Sequence, residues 1–133
     1  DYWPDKYKGV KVIENIGANV AIWNVKNYTL NFDGYNIMVN NKPLIFYHFA
    51  NLKQVDKNLF STDLSRVFVT LKGVLLDRVY KPYAKLLLQN KLNTFQIKAK
   101  KDNHVSGFKS IIREFSRKLR SALYNDKLYI NNQ

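Results

Sequence analysis

The sequence predicts an α+β fold, in which a small meander or mixed sheet comes first and helices follow toward the C-terminus. Its 133 residues are a usual length for one domain, and a content of 46% hydrophobic residues is enough to bury a core. Segments rich in β-branched and aromatic residues, separated by turn signals, fill the first half. In the second half, apolar residues recur at helical spacing.

Three β-segments are predicted between residues 28 and 49. Asp33 and Gly34 form a turn signal between "YTLNF" and "YNIMV", and Asn40 with Asn41 forms another before "KPLIFYHF". Short turns of this kind join neighbouring antiparallel strands, so the three segments are expected to form a meander. The third segment is nearly all apolar and is expected to be the most buried.

The first helical pattern of the second half contains a proline. Its apolar residues recur at intervals of three and four: Leu76, Val79, Tyr80, Tyr83 and Leu87. Pro82 lies inside this pattern, and a proline either breaks or kinks a helix or occupies the first turn of a new one. The sequence therefore predicts a helical segment that breaks, kinks or restarts at Pro82.

Residues 107–124 carry the clearest helical pattern, and this pattern is amphipathic. One face collects apolar side chains: Phe108, Ile111, Ile112, Phe115, Leu119, Ala122 and Leu123. Basic residues lie mostly elsewhere: Lys109, Arg113, Arg117, Lys118 and Arg120. Such a helix either packs its apolar face on the domain or lies on an anionic membrane surface. Before it, we predict a short strand at 95–97, an exposed His104 and an N-cap at Ser106.

Positive charge is concentrated in the second half of the chain. Residues 1–66 carry 8 basic and 6 acidic residues, a balance of +2, whereas residues 67–133 carry 14 and 4, a balance of +10. We therefore divide the chain into a β-rich part, 1–66, and a basic helical part, 67–133. The basic part suits a negative partner, which is a nucleic acid, an anionic membrane or a phosphorylated ligand. A solubilising lysine-rich surface is the alternative.

Several classes of site are excluded by residue content. Without cysteine there is no disulfide, thiolate nucleophile or cysteine-based zinc site, and no glycine-rich phosphate loop or H-E-x-x-H motif occurs. No apolar run reaches the roughly 18 residues of a transmembrane helix. The N-terminus has the features of neither a signal peptide nor a transit peptide, and it lacks an initiator Met. We expect a cytoplasmic protein whose chain begins inside a longer gene product.

Two motifs point to a family. In "GANVAIWN", Gly17, Asn19, Ala21, Trp23 and Asn24 match a strand-loop pattern that precedes a hairpin, and in "KPLIFYHFANLK" a strand ends in His48, Phe49 and Lys53. In this order and spacing they resemble the C-terminal part of bacterial sugar-nucleotide-dependent glycosyltransferases of the GT-A fold, over roughly residues 1–90. The chain departs from the pattern at Ile22, where proline is usual, and at Ala50 and Asn51, where a small residue and glycine are usual. Asn51 can adopt the left-handed backbone that glycine supplies.

The resemblance implies roles for five residues. It implies a nucleotide-sugar donor and a glycan or lipid-linked acceptor, with His48 as a metal ligand or a donor to the diphosphate. Lys53 would contact phosphate, Trp23 would offer a flat face to a sugar ring, and Asn19 and Asn24 would bind hydroxyls. From the residues alone, a histidine beside a buried strand, such as His48, is more often a hydrogen-bonded core residue than a ligand. Trp23 is equally compatible with a place in the core, and both asparagines with shaping turns only.

The family's metal motif is missing from the chain. Members hold Mn²⁺ or Mg²⁺ with an Asp-x-Asp pair in a preceding nucleotide-binding half, and this chain has no D-x-D. We therefore expect an incomplete GT-A-like domain that is inactive alone. Three carboxylates could serve as a catalytic base, and nothing selects among them, so retention or inversion stays open: Asp56, Asp63 and Asp77.

The resemblance also suggests where the protein works. An enzyme that extends lipid-linked glycans in polysaccharide biosynthesis would gain from holding residues 107–124 against the anionic inner face of the membrane. An incomplete sheet would leave an exposed edge, so self-association is expected. The rival functions are a basic nucleic-acid-binding module without enzymatic activity and an interaction domain without a ligand.

Overall fold

The computed structural model describes residues 2–90 and 108–131, which fall into two compact units, Asp1–His48 and Phe49–Gln133. Helices and several small sheets occur together, so the predicted α+β class is confirmed. The predicted boundary after residue 66 falls inside the second unit. The strand at 95–97, His104 and the cap at Ser106 lie outside the described residues.

The first unit is built from very short elements. It begins with a one-turn helix, α1 (Trp3–Lys6), and has single 3-10 turns at Ile16–Ala18 and Val25–Asn27. Its strands are β1 (Val20–Ala21), β2 (Leu30–Phe32), β3 (Ile37–Val39), β4 (Lys42–Pro43) and β5 (Tyr47–His48). β2, β3 and β4 form an antiparallel sheet, and β1 pairs in parallel with β5.

The antiparallel sheet confirms the start of the predicted meander. Leu30 lies opposite Val39, and the turn between β2 and β3 is closed by Asp33, whose Oδ1 accepts the backbone N–H of Asn36 at 2.6 Å and of Tyr35 at 2.8 Å. These two bonds hold the pKa of the Asp33 carboxyl below its usual value, because they stabilise the ionised form. The predicted turn residues therefore do close the hairpin.

The prediction of one buried strand over 42–49 is wrong. β4 ends at Pro43, and one further backbone bond, from the Leu44 N–H to the carbonyl oxygen of Ile37 at 2.7 Å, follows it before the chain leaves β3. Ile45 and Phe46 follow outside any strand, and their side chains are 63% and 54% exposed. The chain then turns to β5, which pairs with β1. Residues of one apolar run thus belong to two different sheets, and hydrophobic periodicity alone does not reveal where the chain passes from one sheet to the other.

The second unit packs helical segments with an antiparallel sheet. Its strands are β6 (Lys53–Asp56), β7 (Leu59–Ser61) and β8 (Lys127–Tyr129), in the order β6-β7-β8. Its helical segments are a 3-10 helix (Leu64–Val67), a π-helical segment (Leu75–Tyr80), α2 (Lys81–Gln89) and α3 (Phe108–Leu123). Its buried apolar side chains are Phe60, Leu64, Leu71, Leu75, Val79, Tyr80, Ala84, Leu128 and Ile130. Sequence patterns did not predict β8.

The helix changes type beside the proline. The π-helical segment runs directly into α2, Pro82 lies in the first turn of α2, and Tyr80 and Lys81 at the junction keep right-handed helical backbone angles, so the chain neither breaks nor restarts there. Phe49 stacks on Tyr83, with ring centroids 3.8 Å apart, and meets Tyr80 edge-on at 5.3 Å. These ring contacts fix the start of the second unit against its helical segment.

The C-terminal helix lies where the pattern predicts, but its apolar face is not buried. Four apolar side chains on one face are between 51% and 68% exposed: Ile112, Phe115, Leu119 and Leu123. We call them the apolar stripe. The interpretation in which this face packs on the domain does not hold for these four residues. No helix in the described ranges is long and apolar enough to cross a membrane.

Candidate functional site: an exposed aromatic platform

A glycine lets the two parallel strands of the first unit come together. The carbonyl oxygen of Gly17 accepts the N–H of Ile45 at 2.8 Å and of Phe46 at 3.0 Å. A Cβ atom at Gly17 would collide with the carbonyl oxygen of Pro43, so only glycine fits without backbone movement. The motif glycine therefore serves a close backbone approach that brings residues 45–48 beside β1.

Asn24 holds the loop that follows β1. Its Oδ1 accepts the N–H of Ala21 at 2.8 Å, and its Nδ2 donates to the carbonyl oxygen of Asn19 at 2.8 Å. Both polar ends of this side chain are thus occupied by the loop's own backbone, as the turn-shaping interpretation predicts. The exposed side chain of Asn19 takes no part in this clasp. Trp23 lies between Ala21 and Asn24 in the chain, so this clasp fixes the loop with the Trp23 side chain on the surface.

Three aromatic side chains meet beside the parallel pair. The ring of Trp23 contacts the ring of His48 edge-on, with centroids 5.2 Å apart and planes at 90°, and Phe46 lies 6.4 Å from His48. Trp23 is 50% exposed, Phe46 is 54% exposed, and His48 is exposed as well. We call Trp23, Phe46 and His48 the aromatic platform. Neither Trp23 nor His48 is a core residue.

The register explains why these rings come together. β1 and β5 are parallel, with Ala21 opposite His48, so the residues after Ala21 and those around His48 lie at the same carboxyl edge of the pair. Ligands of α/β proteins are commonly bound beyond the carboxyl ends of parallel strands. Sequence reasoning missed Phe46, because it belonged to the run assigned to a buried strand. Pro43 was the available signal against that assignment, because proline is disfavoured inside a buried strand.

The platform has the chemistry of a ring-binding surface. Aromatic faces pack against the C–H faces of sugars and against nucleobases, and the imidazole of His48 supplies a hydrogen-bond donor and an acceptor. Exposed aromatic rings that contact one another mark a binding surface more often than isolated apolar residues do. The arrangement can therefore bind a flat or partly apolar ring that also carries polar groups.

The described residues do not form a metal centre by themselves. Among them, no group of three or more His, Asp or Glu side chains is arranged to hold an ion. The assignment of His48 to Mn²⁺ or Mg²⁺ stays a prediction, and it still requires carboxylates from outside this sequence. We therefore derive no step of chemistry through a metal.

Lys53 lies in the second unit, five residues after His48, with which the first unit ends. It is exposed, begins β6, and lines a cleft there together with Asn51. Asn51 adopts φ +65°, which confirms that it can replace the usual glycine in this turn. Ile22, the other departure from the pattern, is buried. The structure thus brings Asn19, Trp23, Asn24 and His48 together in the first unit.

Each candidate carboxylate has a local partner. Asp56 accepts the N–H of Lys57 at 2.7 Å, Asp63 lies 3.7 Å from Arg66, and Asp77 lies 2.7 Å from Lys81. All three belong to the second unit. Nothing in these contacts selects one of them as a catalytic base.

Comparison with known proteins finds one sequence relative. Over 81 residues the chain is 35% identical to Uncharacterized protein YfnD of Bacillus subtilis (strain 168), a match that covers 61% of this chain and 25% of that protein. The chain therefore spans about a quarter of the length of this relative. No family model matches the chain. No solved structure matches it either. These findings name no activity, so function has to be inferred from the residues themselves.

Proposed function

We propose that this chain is the acceptor-side part of a sugar-nucleotide-dependent glycosyltransferase with an incomplete GT-A-like fold. The observation that carries the proposal is the exposed edge-on pair of Trp23 and His48, presented at the carboxyl edge of two parallel strands. In this proposal the platform binds a sugar ring of the donor or of the acceptor glycan. The motif resemblance of residues 17–24 and 42–53 supports the same function.

The way in which Trp23 is held supports a binding role over incidental exposure. Burying an aromatic side chain completely would stabilise a small domain by about 2 kcal/mol, and half of this ring stays in water. The Asn24 clasp fixes the loop in the conformation that leaves Trp23 exposed. A ring fixed before the ligand arrives loses little conformational entropy on binding.

His48 completes the proposed site through hydrogen bonds. Its ring is held at the edge of Trp23 and beside Phe46, so a sugar on the platform would lie within reach of an imidazole nitrogen. That nitrogen can donate to a hydroxyl or to a phosphate oxygen. Metal ligation by His48 is the further possibility that the family resemblance implies, and it depends on ligands from elsewhere.

Transfer itself requires groups that the platform does not contain. An acceptor oxygen bonds to the anomeric carbon, the bond from that carbon to the diphosphate oxygen breaks, and a base takes the acceptor proton. Charge grows on the departing diphosphate and must be stabilised. The platform contains no carboxylate, so we expect this chain alone to bind sugar nucleotide without turning it over.

Tryptophan fluorescence tests the proposal directly, because the chain has two tryptophans. In a Trp3→Phe background, Trp23 is the sole reporter. We expect saturable quenching by a sugar nucleotide in this background. His48→Ala should weaken it, and Tyr35→Ala, which removes an exposed ring from the same unit, should not. A Trp23 signal that does not respond to sugar nucleotides or glycans would contradict the proposal.

We also propose that the apolar stripe of α3 rests on an anionic membrane at its cytoplasmic face, where a lipid-linked acceptor would lie. Four exposed apolar side chains on one helix face and a balance of +10 over residues 67–133 support this partner. Phe115→Ser with Leu119→Ser should abolish co-sedimentation with anionic liposomes at low salt. Tyr129→Ser, an equally exposed position on β8, should not. Liposome binding that both variants retain would contradict the proposal.

A nucleic-acid-binding module is the second candidate, supported by a different observation. The chain carries a net charge of +12, and exposed aromatic rings such as Trp23 and Phe46 could stack bases. This function predicts oligonucleotide binding that weakens steeply with salt and is unaffected by sugar nucleotides. The two candidates are separated by titrating a sugar nucleotide against an oligonucleotide and following Trp23 fluorescence. The ligand that changes the signal, and that the other does not displace, identifies the function.

A further inference from the structure

A basic cleft in the second unit has no role in the function proposed for the aromatic platform. Its volume is about 910 Å³, and seven of its fourteen lining residues are lysine or arginine against two aspartates, a formal balance of +5. Six of its cations are Lys53, Arg66, Arg113, Arg117, Arg120 and Lys127. A cleft of this size falls in the range of small-molecule sites.

Three of these arginines form a row along one helix. Arg113, Arg117 and Arg120 are spaced at i, i+4 and i+7 on α3, so they lie on one face and span about 10 Å along the axis. The cleft lies on this face, and the apolar stripe lies on another. In the part of the chain that the structure describes, none of the three forms an ion pair, whereas Lys118 pairs with Glu114 at 3.0 Å and Arg66 with Asp63 at 3.7 Å. The three arginines therefore line one side of the cleft, and none of them is ion-paired with a carboxylate among the described residues.

A buried carboxylate fixes the wall of the cleft. Asp126 is 4% exposed, and its Oδ1 accepts the Thr62 hydroxyl at 2.9 Å and the Ser65 N–H at 3.1 Å. Its Oδ2 accepts the Ser65 hydroxyl at 2.8 Å. These bonds tie the residues after α3 to the 3-10 helix that carries Arg66. The Asp126 carboxylate therefore makes its hydrogen bonds to Thr62 and Ser65. The row of arginines stays available to an anion from solution.

We propose that this cleft binds an anion with two adjacent phosphate groups, a diphosphate ester. Guanidinium groups bind phosphate oxygens through paired hydrogen bonds, and neighbouring arginines one helical turn apart can divide two phosphates between them. Lys53 and Lys127 add point charges from the sheet side. The site itself does not depend on the function proposed for the platform. Only the identity of the molecule that carries the diphosphate, a sugar nucleotide or a membrane lipid, rests on that proposed function.

The cleft favours a diphosphate over a nucleic acid strand. None of its described lining residues is aromatic, so it offers no ring on which bases could stack. Its cations gather around one bounded volume, whereas a strand of nucleic acid is usually followed by a groove that tracks the backbone. The row of arginines therefore suits a compact polyanion.

Calorimetric titration of the full chain with inorganic pyrophosphate at low salt tests the proposal. We expect saturable binding, weakened by at least about tenfold in Arg113→Ala/Arg117→Ala because charge-assisted hydrogen bonds are lost. Lys72→Ala/Lys85→Ala removes two exposed charges of the same unit outside the cleft, and it should leave affinity within about twofold. Arg113→Lys/Arg117→Lys should give intermediate affinity, since the charge remains but the paired geometry is lost.

Several results would overturn the proposal. One is that pyrophosphate does not bind saturably, and another is that the two alanine pairs weaken pyrophosphate binding equally. A third is that an oligonucleotide binds more tightly than any diphosphate. Trp23→Ala should not change pyrophosphate affinity, so failure at the platform and failure at the cleft can be told apart. Titration with a nucleoside diphosphate, and sedimentation with neutral vesicles with and without a polyprenyl diphosphate, would identify the carrier.

Discussion

The two units of this protein hold their functional side chains in different ways. In the first unit, asparagine and aspartate side chains bind the backbone directly: Asn15 to Gly17, Asn24 to Ala21 and Asn19, Asp33 to Tyr35 and Asn36, and Asn40 to Thr29. In the second unit, strands and helical segments surround an apolar core, and the buried Asp126 carboxylate links distant segments. Local side-chain bonds shape the loop that presents Trp23, and tertiary packing presents a row of charges.

The difference teaches what each kind of site requires. The ring surface is fixed by loop bonds within a dozen residues together with one long-range pairing, that of β1 with β5, which brings Trp23 and His48 together. A cleft made by residues more than 50 positions apart in the chain needs an assembled core and long-range bonds. Substitutions that remove one kind of support should therefore affect one site and spare the other.

The largest effect is expected from Asp126→Ala. The change removes three hydrogen bonds to a buried carboxylate. The Ser65 hydroxyl loses its partner, and the Thr62 hydroxyl keeps only the longer bond to the backbone carbonyl oxygen of residue 126, at 3.3 Å. We expect a loss of about 4 kcal/mol in the free energy of unfolding of the second unit, measured by urea denaturation. Asp56→Ala, which removes one exposed local bond, should cost less than about 1 kcal/mol. Equal losses in the two variants would show that the buried network does not support the second unit.

A smaller loss is expected from Gly17→Ala in the first unit. The added methyl group meets the carbonyl of Pro43, so the backbone must shift and weaken the bonds from Ile45 and Phe46. We expect about 3 kcal/mol of destabilisation of the first unit. Unfolding can be measured through Trp23 fluorescence in the Trp3→Phe background. Gly9→Ala has no such neighbour and should cost about 1 kcal/mol, through its positive φ alone. Pyrophosphate binding by the second unit should survive both changes.

Asn24→Ala should have an intermediate effect that is visible mainly in ligand binding. It removes one accepted and one donated bond, so we expect about 2 kcal/mol of destabilisation and weaker sugar-nucleotide binding at Trp23. Asn24→Asp keeps the bond from Ala21 and loses the bond to Asn19, so it should fall between the wild type and the alanine variant. Unchanged affinity in Asn24→Ala would mean that the clasp does not prepare the platform.

The smallest effect is a pH dependence confined to the hairpin. The backbone N–H groups of Asn36 and Tyr35 lower the pKa of Asp33 from its usual value of 3.8, so the ionised form is favoured in the folded state. This support is present above pH 3.8 and is lost as pH falls through the lowered pKa. Amide NMR shifts of Asn36 should titrate with a midpoint below 3.8, and Asp33→Asn should remove the transition. A midpoint at or above 3.8 would contradict the clasp at this turn.

Local features of the fold could be predicted from the sequence, because they depend on neighbouring residues. The turn at Asp33 and Gly34, the distortion of the helix beside Pro82 and α3 all follow from short-range patterns. Pro43 argues against one continuous buried strand, but the new pairing of residues 45–48 could not be predicted, because it depends on the approach of Gly17 from about 28 residues earlier. Periodicity describes one element at a time and carries no such long-range information.

The candidate sites show the same limit. Asn24 could be recognised as a turn-shaping residue and Trp23 with His48 as ring-bearing positions, but Phe46 was assigned to the core. The amphipathic pattern of α3 predicted two faces, although it did not show which one would face the unit. Asp126 gave no signal, since its partners lie 61 and 64 residues away.

The central claim is that the aromatic platform binds a sugar ring, and saturation-transfer NMR measures this directly. With a sugar nucleotide and the full chain, we predict transfer to the sugar protons that is lost in Trp23→Ala and kept in Trp3→Ala, the other exposed tryptophan of the first unit. Arg113→Ala/Arg117→Ala should not abolish transfer to a sugar that lacks phosphate. Transfer of equal strength in Trp23→Ala and in the wild type would contradict the account.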